Sequence, residues 1–493
     1  MTDLFARRPA AQPWLRIYAP GVPREVPIPP VTLVDLLDGA ARRFRFRAAL
    51  SWQGRRTGFR TLRRAAVRLA TALDRLGVRR GDRVAVLLPD CPELVVMCHA
   101  VWRLGAVVVP GDPADPGRAV AGAVVAVVPR GRGPEVARVA RAGRYAALSA
   151  VVTVAVEVTA ARRRGPAPAS ASRTTSVRGP GTDPRKPREA EMPREAEMPG
   201  ETEAPGETAL PSKAATLVAY RDLDRYPGRG WSGAAGRSRA GRPLPEDVAV
   251  VVPRRDGASL TLRHRHLVAA AHQIRSWYPE SAERRVRLLS LVPLREPRGL
   301  ALGVAAAALT GACTVLVPDG DPVTVLRAAR RAAPTVLTAA PAWLRLLMER
   351  PAHEREALAT VRTVVTGPLD AVTGEQLRAA LDARIVEAYG SCAAAGVALA
   401  NPATADARSG TVGVPLPGTE ARIGVEGALA AEALPGDAGE LLLRGPQVGE
   451  SPGLLPGGWL RTGRLAVCGP DGYVTLLGPR DADDDPGGAA RRR

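Results

Sequence analysis

Apolar positions recur at helical spacing over residues 31–113 and alternate with short unbroken apolar runs. Leu33, Leu36, Leu37, Ala40, Ala41 and Phe44 mark one face of a helix, which Thr32 and Asp35 open like a capping box. Leu62, Ala65, Ala66, Leu69, Leu73 and Leu76 mark a second helix, with Gly77 as its C-terminal cap. Residues 84–88 form a continuous apolar run and predict a strand. A helix opens near Pro92 and Glu93, and residues 106–109 predict the next strand. Helices alternating with strands that are apolar on both faces predict a parallel sheet covered on both sides, hence an α/β fold. The rhythm resumes at Asp247, with strands at 248–252, 288–292, 313–317 and 335–338 and a helix over 266–277. Beyond Asn401 short strands and turns replace it and predict a small β-rich subdomain.

Residues 162–213 break the pattern. They are rich in Pro, Glu, Gly, Ala and Thr, and the hexapeptide PREAEM stands at 187–192 and again at 193–198. So little apolar content predicts a disordered linker or insertion. The expected organisation is a first α/β subdomain over 1–161, the linker over 162–213 and a second α/β subdomain over 214–400. A β-rich subdomain over 401–480 and a frayed tail over 481–493 complete it. The uncharged run 299–318 approaches membrane-span length, but Gly311 and the β-branched stretch after it divide it into helix, turn and strand. The N-terminus lacks the apolar stretch of a signal peptide. The expectation is a cytoplasmic protein with no integral membrane segment, peripheral attachment to a membrane being left open.

Composition sharpens this picture in two respects. The chain of 493 residues carries a formal charge of +20, and its only lysines, Lys186 and Lys213, fall in or at the end of the linker, so no folded segment offers one. The arginines are spread through every segment and aromatics are only 4%, which argues against a base-stacking nucleic-acid surface. Cys91, Cys98, Cys313, Cys392 and Cys468 have no metal or redox spacing and are expected to be small buried hydrophobes. His264, His266 and His272 do not share one helical face and have no carboxylate at ligand spacing. They are expected to face solvent or cap a helix, with no metal.

Several stretches, taken in order, carry a family resemblance. They are PWLRIY at 13–18 with PGVP at 20–23, GDRV at 81–84 leading to LGAVVVP at 104–110, GTVGVPLPG at 410–418, and the segment 439–478. Together they resemble the AMP-forming acyl-CoA ligases of the adenylate-forming enzyme superfamily, and the first looks like the entry of bacterial long-chain fatty acid–CoA ligases. The resemblance spans about residues 13–113 and 214–480. It implies the large domain of that superfamily, with two parallel-sheet α/β subdomains and a small β-rich one, and the chain is expected to lack the mobile C-terminal domain with its lysine. It implies activation of a fatty acid or other acyl small molecule by ATP, with pyrophosphate released and CoA displacing AMP. ATP or AMP, Mg²⁺ and CoA are therefore implied as cofactors; none follows from composition, and the identity of any protein partner is unknown.

The family's chemical positions are altered here. Its Thr-Gly-Asp, whose Asp holds the ribose hydroxyls, reads Thr462-Gly463-Arg464. A group that accepts hydrogen bonds has become one that only donates them. The glycine-rich phosphate loop with its Lys reads Pro253-Arg254-Arg255-Asp256-Gly257-Ala258-Ser259, leaving Arg254, Arg255, Gly257 and Ser259 as a remnant. The Mg²⁺ motif Tyr-Gly-x-Thr-Glu reads Tyr389-Gly390-Ser391-Cys392-Ala393, preceded by a shortened Gly367-Pro368-Leu369. Arg295 and Glu296 stand near the expected His of the acyl gate, and Arg480 is the candidate for the hinge arginine. The nucleotide candidates are thus Gly367, Pro368, Tyr389, Gly390, Ser391, Cys392, Arg464 and Arg480, and no catalytic residue is assigned. Three functions stay open at this point: an impaired ligase, a non-catalytic acyl- or nucleotide-binding protein, and an interaction or decayed protein.

Overall fold

The computed structural model describes residues 12–112, 115–141, 147–155, 216–220, 241–254, 256–278, 285–317, 320–402, 407–425 and 428–479. The expected linker over 162–213, the expected tail over 481–493, Arg255 and Arg480 lie outside them.

Helix α1 (Leu33–Arg43) starts as the sequence predicts. The Asp35 amide donates to Thr32 Oγ1 at 3.2 Å, and the Asp35 carboxylate accepts the Thr32 amide at 2.9 Å. Its apolar face is buried, while Phe44 is its C-cap residue rather than part of the helix. Strands β1 (Ala48–Trp52) and β2 (Arg55–Gly58) form a hairpin whose turn holds Gln53 and Gly54 at φ 49° and 83°, as a tight primed turn requires. Helix α2 (Phe59–Arg75) ends at Gly77, whose φ of 94° suits the missing Cβ and whose amide donates to the Asp74 carbonyl. Helix α3 (Pro92–Arg103) packs on α2, and both bury their apolar faces in one large core.

Seven strands form the first sheet, in the order Thr216–Ala219, Ala150–Val154, Val125–Pro129, Arg83–Val86, Val107–Pro110, β3 (Val248–Pro253) and β4 (Ser259–Arg263). All neighbours are parallel except β3 and β4, which make an antiparallel hairpin leading into α4 (His264–Trp277). Nine strands form the second, in the order Val414–Pro415, Leu399–Ala400, β5 (Arg384–Tyr389), Thr363–Thr366, Val336–Thr338, Arg287–Ser290, Cys313–Leu316, β1 and β2. Its interior from β5 to β1 is parallel and its margins are antiparallel. The inner strands are buried on both faces, which is why they read as unbroken apolar runs.

The two sheets exchange strands along the sequence. The hairpin β1–β2 joins the second sheet and the hairpin β3–β4 joins the first.

The uncharged run 299–318 is helical through Pro297–Gly299, a π-helical stretch Leu300–Ala306, and Ala307–Thr310. It stops at Gly311 in the left-handed conformation, and the strand Cys313–Leu316 follows. The Thr314 hydroxyl donates to the Gly303 carbonyl at 2.6 Å, beside the widened π turn. Among the described residues no helix is long and apolar enough to cross a membrane.

The β-rich part is an antiparallel sheet in the order Ala428–Glu432, Glu420–Val425, β6 (Ala438–Arg444) and β7 (Trp459–Cys468), with Leu454–Leu455 and Val474–Pro479 both paired to β7. Ile423, Leu441, Leu443, Leu460, Ala466 and Val474 form its core.

Candidate functional site

The candidate site gathers at the C-terminal ends of parallel strands, where the backbone leaves the sheet. Strand Thr363–Thr366 ends at Gly367 and Pro368, and its neighbour β5 ends at Tyr389, with Thr366 paired to Glu387. After Tyr389 the chain turns sharply. Ser391 caps the short turn Cys392–Ala394, its Oγ accepting the Ala394 amide at 3.2 Å. A Cβ on Gly390 would lie 1.8 Å from the Gly396 carbonyl oxygen, so this glycine is required by the fold of the turn.

Residues far apart in sequence converge on that turn. The Gly390 carbonyl accepts from Arg298 Nη2 at 2.6 Å. Burial pushes the pKa of the Tyr389 hydroxyl above the usual tyrosine value, and the nearby Thr462 and Arg464 side chains partly oppose this. Thr462-Gly463-Arg464 is a bulged turn of β7, with Gly463 at φ 66°. The buried carboxylate of Glu440 on β6 holds it by accepting the Gly463 amide at 3.1 Å and the Arg461 guanidinium at 2.9–3.2 Å. Thr462 Oγ1 donates to the Leu441 carbonyl at 2.7 Å. Replacing Glu440 by Gln is expected to lower stability by about 2 kcal/mol, since the buried acceptor loses its charge while the guanidinium stays. Urea denaturation checks this, and an unchanged midpoint would show that the pair contributes nothing.

A second group lies beside the first. The Glu296 carboxylate and the Arg298 and Arg254 guanidiniums all act electrostatically on Cys392. Although residue 392 is exposed as a whole, burial around its thiol and then Glu296 push the thiol up, and the two arginines only partly oppose this, so the sulfur is not an activated nucleophile. Glu296 is itself pushed up by burial and drawn down by Arg298 and Arg295.

The remnant of the phosphate loop is the tight turn between β3 and β4. The Arg254 amide donates to the Ala258 carbonyl at 2.9 Å, the Gly257 amide to the Arg254 carbonyl at 3.4 Å, and the Ala258 amide to Asp256 Oδ1 at 3.0 Å. Arg254 Nε pairs with Asp256 at 3.1 Å, and Ser259 is an exposed strand residue opposite Pro253. The amides of Arg254, Gly257 and Ala258 are therefore bonded inside the turn, which carries a carboxylate at its tip.

Mg²⁺ requires hard oxygen ligands at near-octahedral geometry. Ala393 offers none from its side chain, and its carbonyl accepts the Gly449 amide at 2.7 Å. The neighbouring carboxylate, Glu296, faces arginines, and among the described residues no three His, Cys, Asp or Glu converge as ligands. The residues present do not fit this ion.

The structure corrects two expectations and adds three residues. His264 and His266 are buried rather than solvent-facing. They do act at helix starts: His264 Nδ1 accepts the Leu33 amide at 3.3 Å and His266 Nδ1 accepts the Arg263 amide at 3.1 Å. Cys91, Cys98 and Cys313 are buried as expected, but Cys392 is exposed and Cys468 half-buried. The sequence reading did not single out Arg298, Glu387 or Glu440. Glu387 accepts the amides of Leu369 and Gly410 and the Ser409 hydroxyl, tying Gly367-Pro368-Leu369 to residues beyond 401. Only the fold brings these partners together, although a Glu in the apolar run of β5 is a local sign.

Comparison with known proteins agrees with this fold. The model of the family described as AMP-binding enzyme matches residues 37–210 and 260–451. The chain is 25% identical over 487 residues to the long-chain-fatty-acid–CoA ligase of Bacillus subtilis, a match spanning 94% of this chain and 80% of that relative. It is 30% identical over 205 residues to the indoleacetate–CoA ligase of Aromatoleum aromaticum, spanning 39% of each. Among solved structures it is similar to a benzoate CoA ligase from Burkholderia xenovorans, with TM-score 0.69 and 18% identity over 92% of this chain and 80% of that one. A long-chain-fatty-acid-CoA ligase from Archaeoglobus fulgidus gives TM-score 0.68 and 17% identity over 94% and 86%. At these identities the likenesses to solved structures show the fold.

Proposed function

Because the chain belongs to the AMP-binding enzyme family, within the adenylate-forming acyl-CoA ligases, we propose that it binds an acyl-chain acid and an adenine nucleotide but does not carry acid activation to completion. The observation that carries this reading is the turn between β3 and β4, where the amides of Arg254, Gly257 and Ala258 bond to Ala258, Arg254 and Asp256 within the turn itself. Forming an acyl-adenylate breaks the bond between the α- and β-phosphates while negative charge builds on pyrophosphate. Preorganised donors aimed at that charge supply about 3–4 kcal/mol each when tested singly. Here the loop has no lysine and Ala393 stands at the metal position. Losing several such groups removes most of the acceleration, even though their effects do not add.

What remains suits binding. On this reading Tyr389 and Gly390 line the adenine side, and Gly367 and Pro368 lie along the neighbouring strand end. Arg298, Arg464 and Arg254 supply positive charge toward a phosphate, and Arg295 and Glu296 border the acyl entrance. Arg464 donates where the family's carboxylate accepts, so the chain reads the phosphate rather than the ribose diol. The ranges 1–161, 214–400 and 401–480 as subdomains, 162–213 as linker and a cytoplasmic location belong to the same proposal.

Calorimetry with AMP, ATP and a long-chain fatty acid, paired with acid-dependent pyrophosphate release, tests it. AMP is expected to bind with the same affinity with and without Mg²⁺. Arg464→Ala is expected to weaken that binding about tenfold, the worth of one charge-assisted hydrogen bond. Pyrophosphate above background would overturn the loss of turnover, and failure to bind either ligand would overturn the binding role.

A further inference from the structure

Residues 39–73 contain ten arginines and no aspartate or glutamate, whereas basic residues make up 69 of the 493 in the whole chain. One stretch thus departs from the otherwise scattered arrangement, at roughly twice the average basic density. The fold concentrates it further. At the end of α1, Arg42, Arg43 and Arg45 are exposed, and along α2 Arg60, Arg64 and Arg68 form an exposed stripe at four-residue spacing. Leu62, Ala66, Leu69 and Leu73 occupy the opposite, buried face of that helix. A groove of about 300 Å³ between the two helices is lined by Ala41, Arg42, Arg60, Arg63 and Arg64. Arg63 meets a carboxylate from outside the run, Asp38 at 2.9 Å.

An apolar tip projects beside this charge. Phe44 packs inward against Phe59 with ring centroids 6.0 Å apart, which anchors the segment. Two residues later Phe46 is 87% exposed, with the Arg45 guanidinium 4.6 Å from its ring centre. So many like charges repel one another, and an anionic partner relieves that repulsion. A lone aromatic flanked by arginines suits the boundary between lipid headgroups and acyl chains, the ring entering while the guanidiniums stay with phosphates. Nucleic acid would call for several aromatics stacked against successive bases.

We infer that this face, formed by the end of α1, Phe46 and the arginine stripe of α2, docks the protein on an anionic lipid bilayer. Flotation of the full chain with phosphatidylcholine vesicles, and with vesicles containing phosphatidylserine, tests the assignment. Partitioning is expected onto the anionic vesicles alone and falls steeply as salt is added. Replacing Arg60, Arg64 and Arg68 together by Gln lowers that partitioning about a hundredfold at low salt. Phe46→Ser, at an exposed site that leaves the charge and the core intact, lowers it about tenfold. Thermal melts establish that both variants fold. Equal partitioning onto the two vesicle types would overturn the inference. So would wild-type binding by both variants, or binding to RNA or DNA that outcompetes the vesicles and is indifferent to Phe46→Ser.

Discussion

Acidification from about pH 7 to about pH 5 is expected to cost the folded chain about 2 kcal/mol for each of three buried histidines, His99, His264 and His266. Burial lowers the pKa of His99 to about 3 and those of His264 and His266 to about 4, from an ordinary value of 6.5. Arg103 reinforces this at His99, and Arg265 and Arg263 at His266, while Asp247 and Asp35 oppose it weakly at His264. With folded values below unfolded ones, the unfolded chain binds protons first as the pH falls. Stability is full above pH 6.5, declines from there to about pH 4, and continues to decline to about pH 3 through His99. The local cause is plain at His264. Its Nδ1 accepts the Leu33 amide at the start of α1, and its ring meets Trp102 at 6.2 Å between centroids. An imidazolium would give up that acceptor and place a charge in the core. Urea denaturation across this range should show the decline, and His264→Gln, which keeps an acceptor, should remove about a third of it. A slope that the substitution leaves untouched would refute the account.

Gly390→Ala is expected to destabilise the protein by about 3–5 kcal/mol, whereas Gly367→Ala should stay within about 1 kcal/mol. Both glycines belong to the candidate nucleotide site, and only their surroundings separate them. The new methyl at 390 would stand 1.8 Å from the Gly396 oxygen, 2.5 Å from its carbonyl carbon and 2.7 Å from Val397 Cα, all backbone atoms that cannot rotate away. At 367 the nearest atoms are Pro341 Cδ and Cγ at 3.5 and 3.6 Å, an ordinary contact. Relief at 390 would move the turn that holds Cys392 and would break the Arg298 bond to the Gly390 carbonyl. Thermal melts of the two variants decide the matter, and equal small effects would mean that the turn is looser than its geometry.

Much of the fold was legible because its physics is local. The capping box at Thr32, the cap at Gly77, the unbroken apolar strands and the break at Gly311 each follow from a few adjacent residues. Strand partners did not, since period and propensity say where a strand lies but not which strand it meets. The pairing of Leu50 with Thr314 has no signature near either residue. The site divides the same way. Tyr389, Gly390 and Arg464 were proposed from motifs, and Arg464 lies close enough to Tyr389 to lower its pKa. Glu440 and Arg298 support that site through contacts made only in the folded chain, and a sequence shows them as one acid and one base among many. His264 and His266 were expected to face solvent or cap a helix; both are buried, and each of these two rings accepts a helix-start amide.

The strand exchange between the sheets governs how this chain must emerge from a ribosome. Leu50 is synthesised early, yet the strand beside it is complete only once Thr314 and Val315 have appeared. At translation speeds of 5–20 residues per second that delay is roughly 10–50 s. Throughout it the β1–β2 ribbon presents an unsatisfied flank, with Arg55 and Arg56 exposed on its other strand as charges that discourage mispairing. Fragments ending before residue 313 leave that flank open for good, so they should recruit chaperones or aggregate rather than fold.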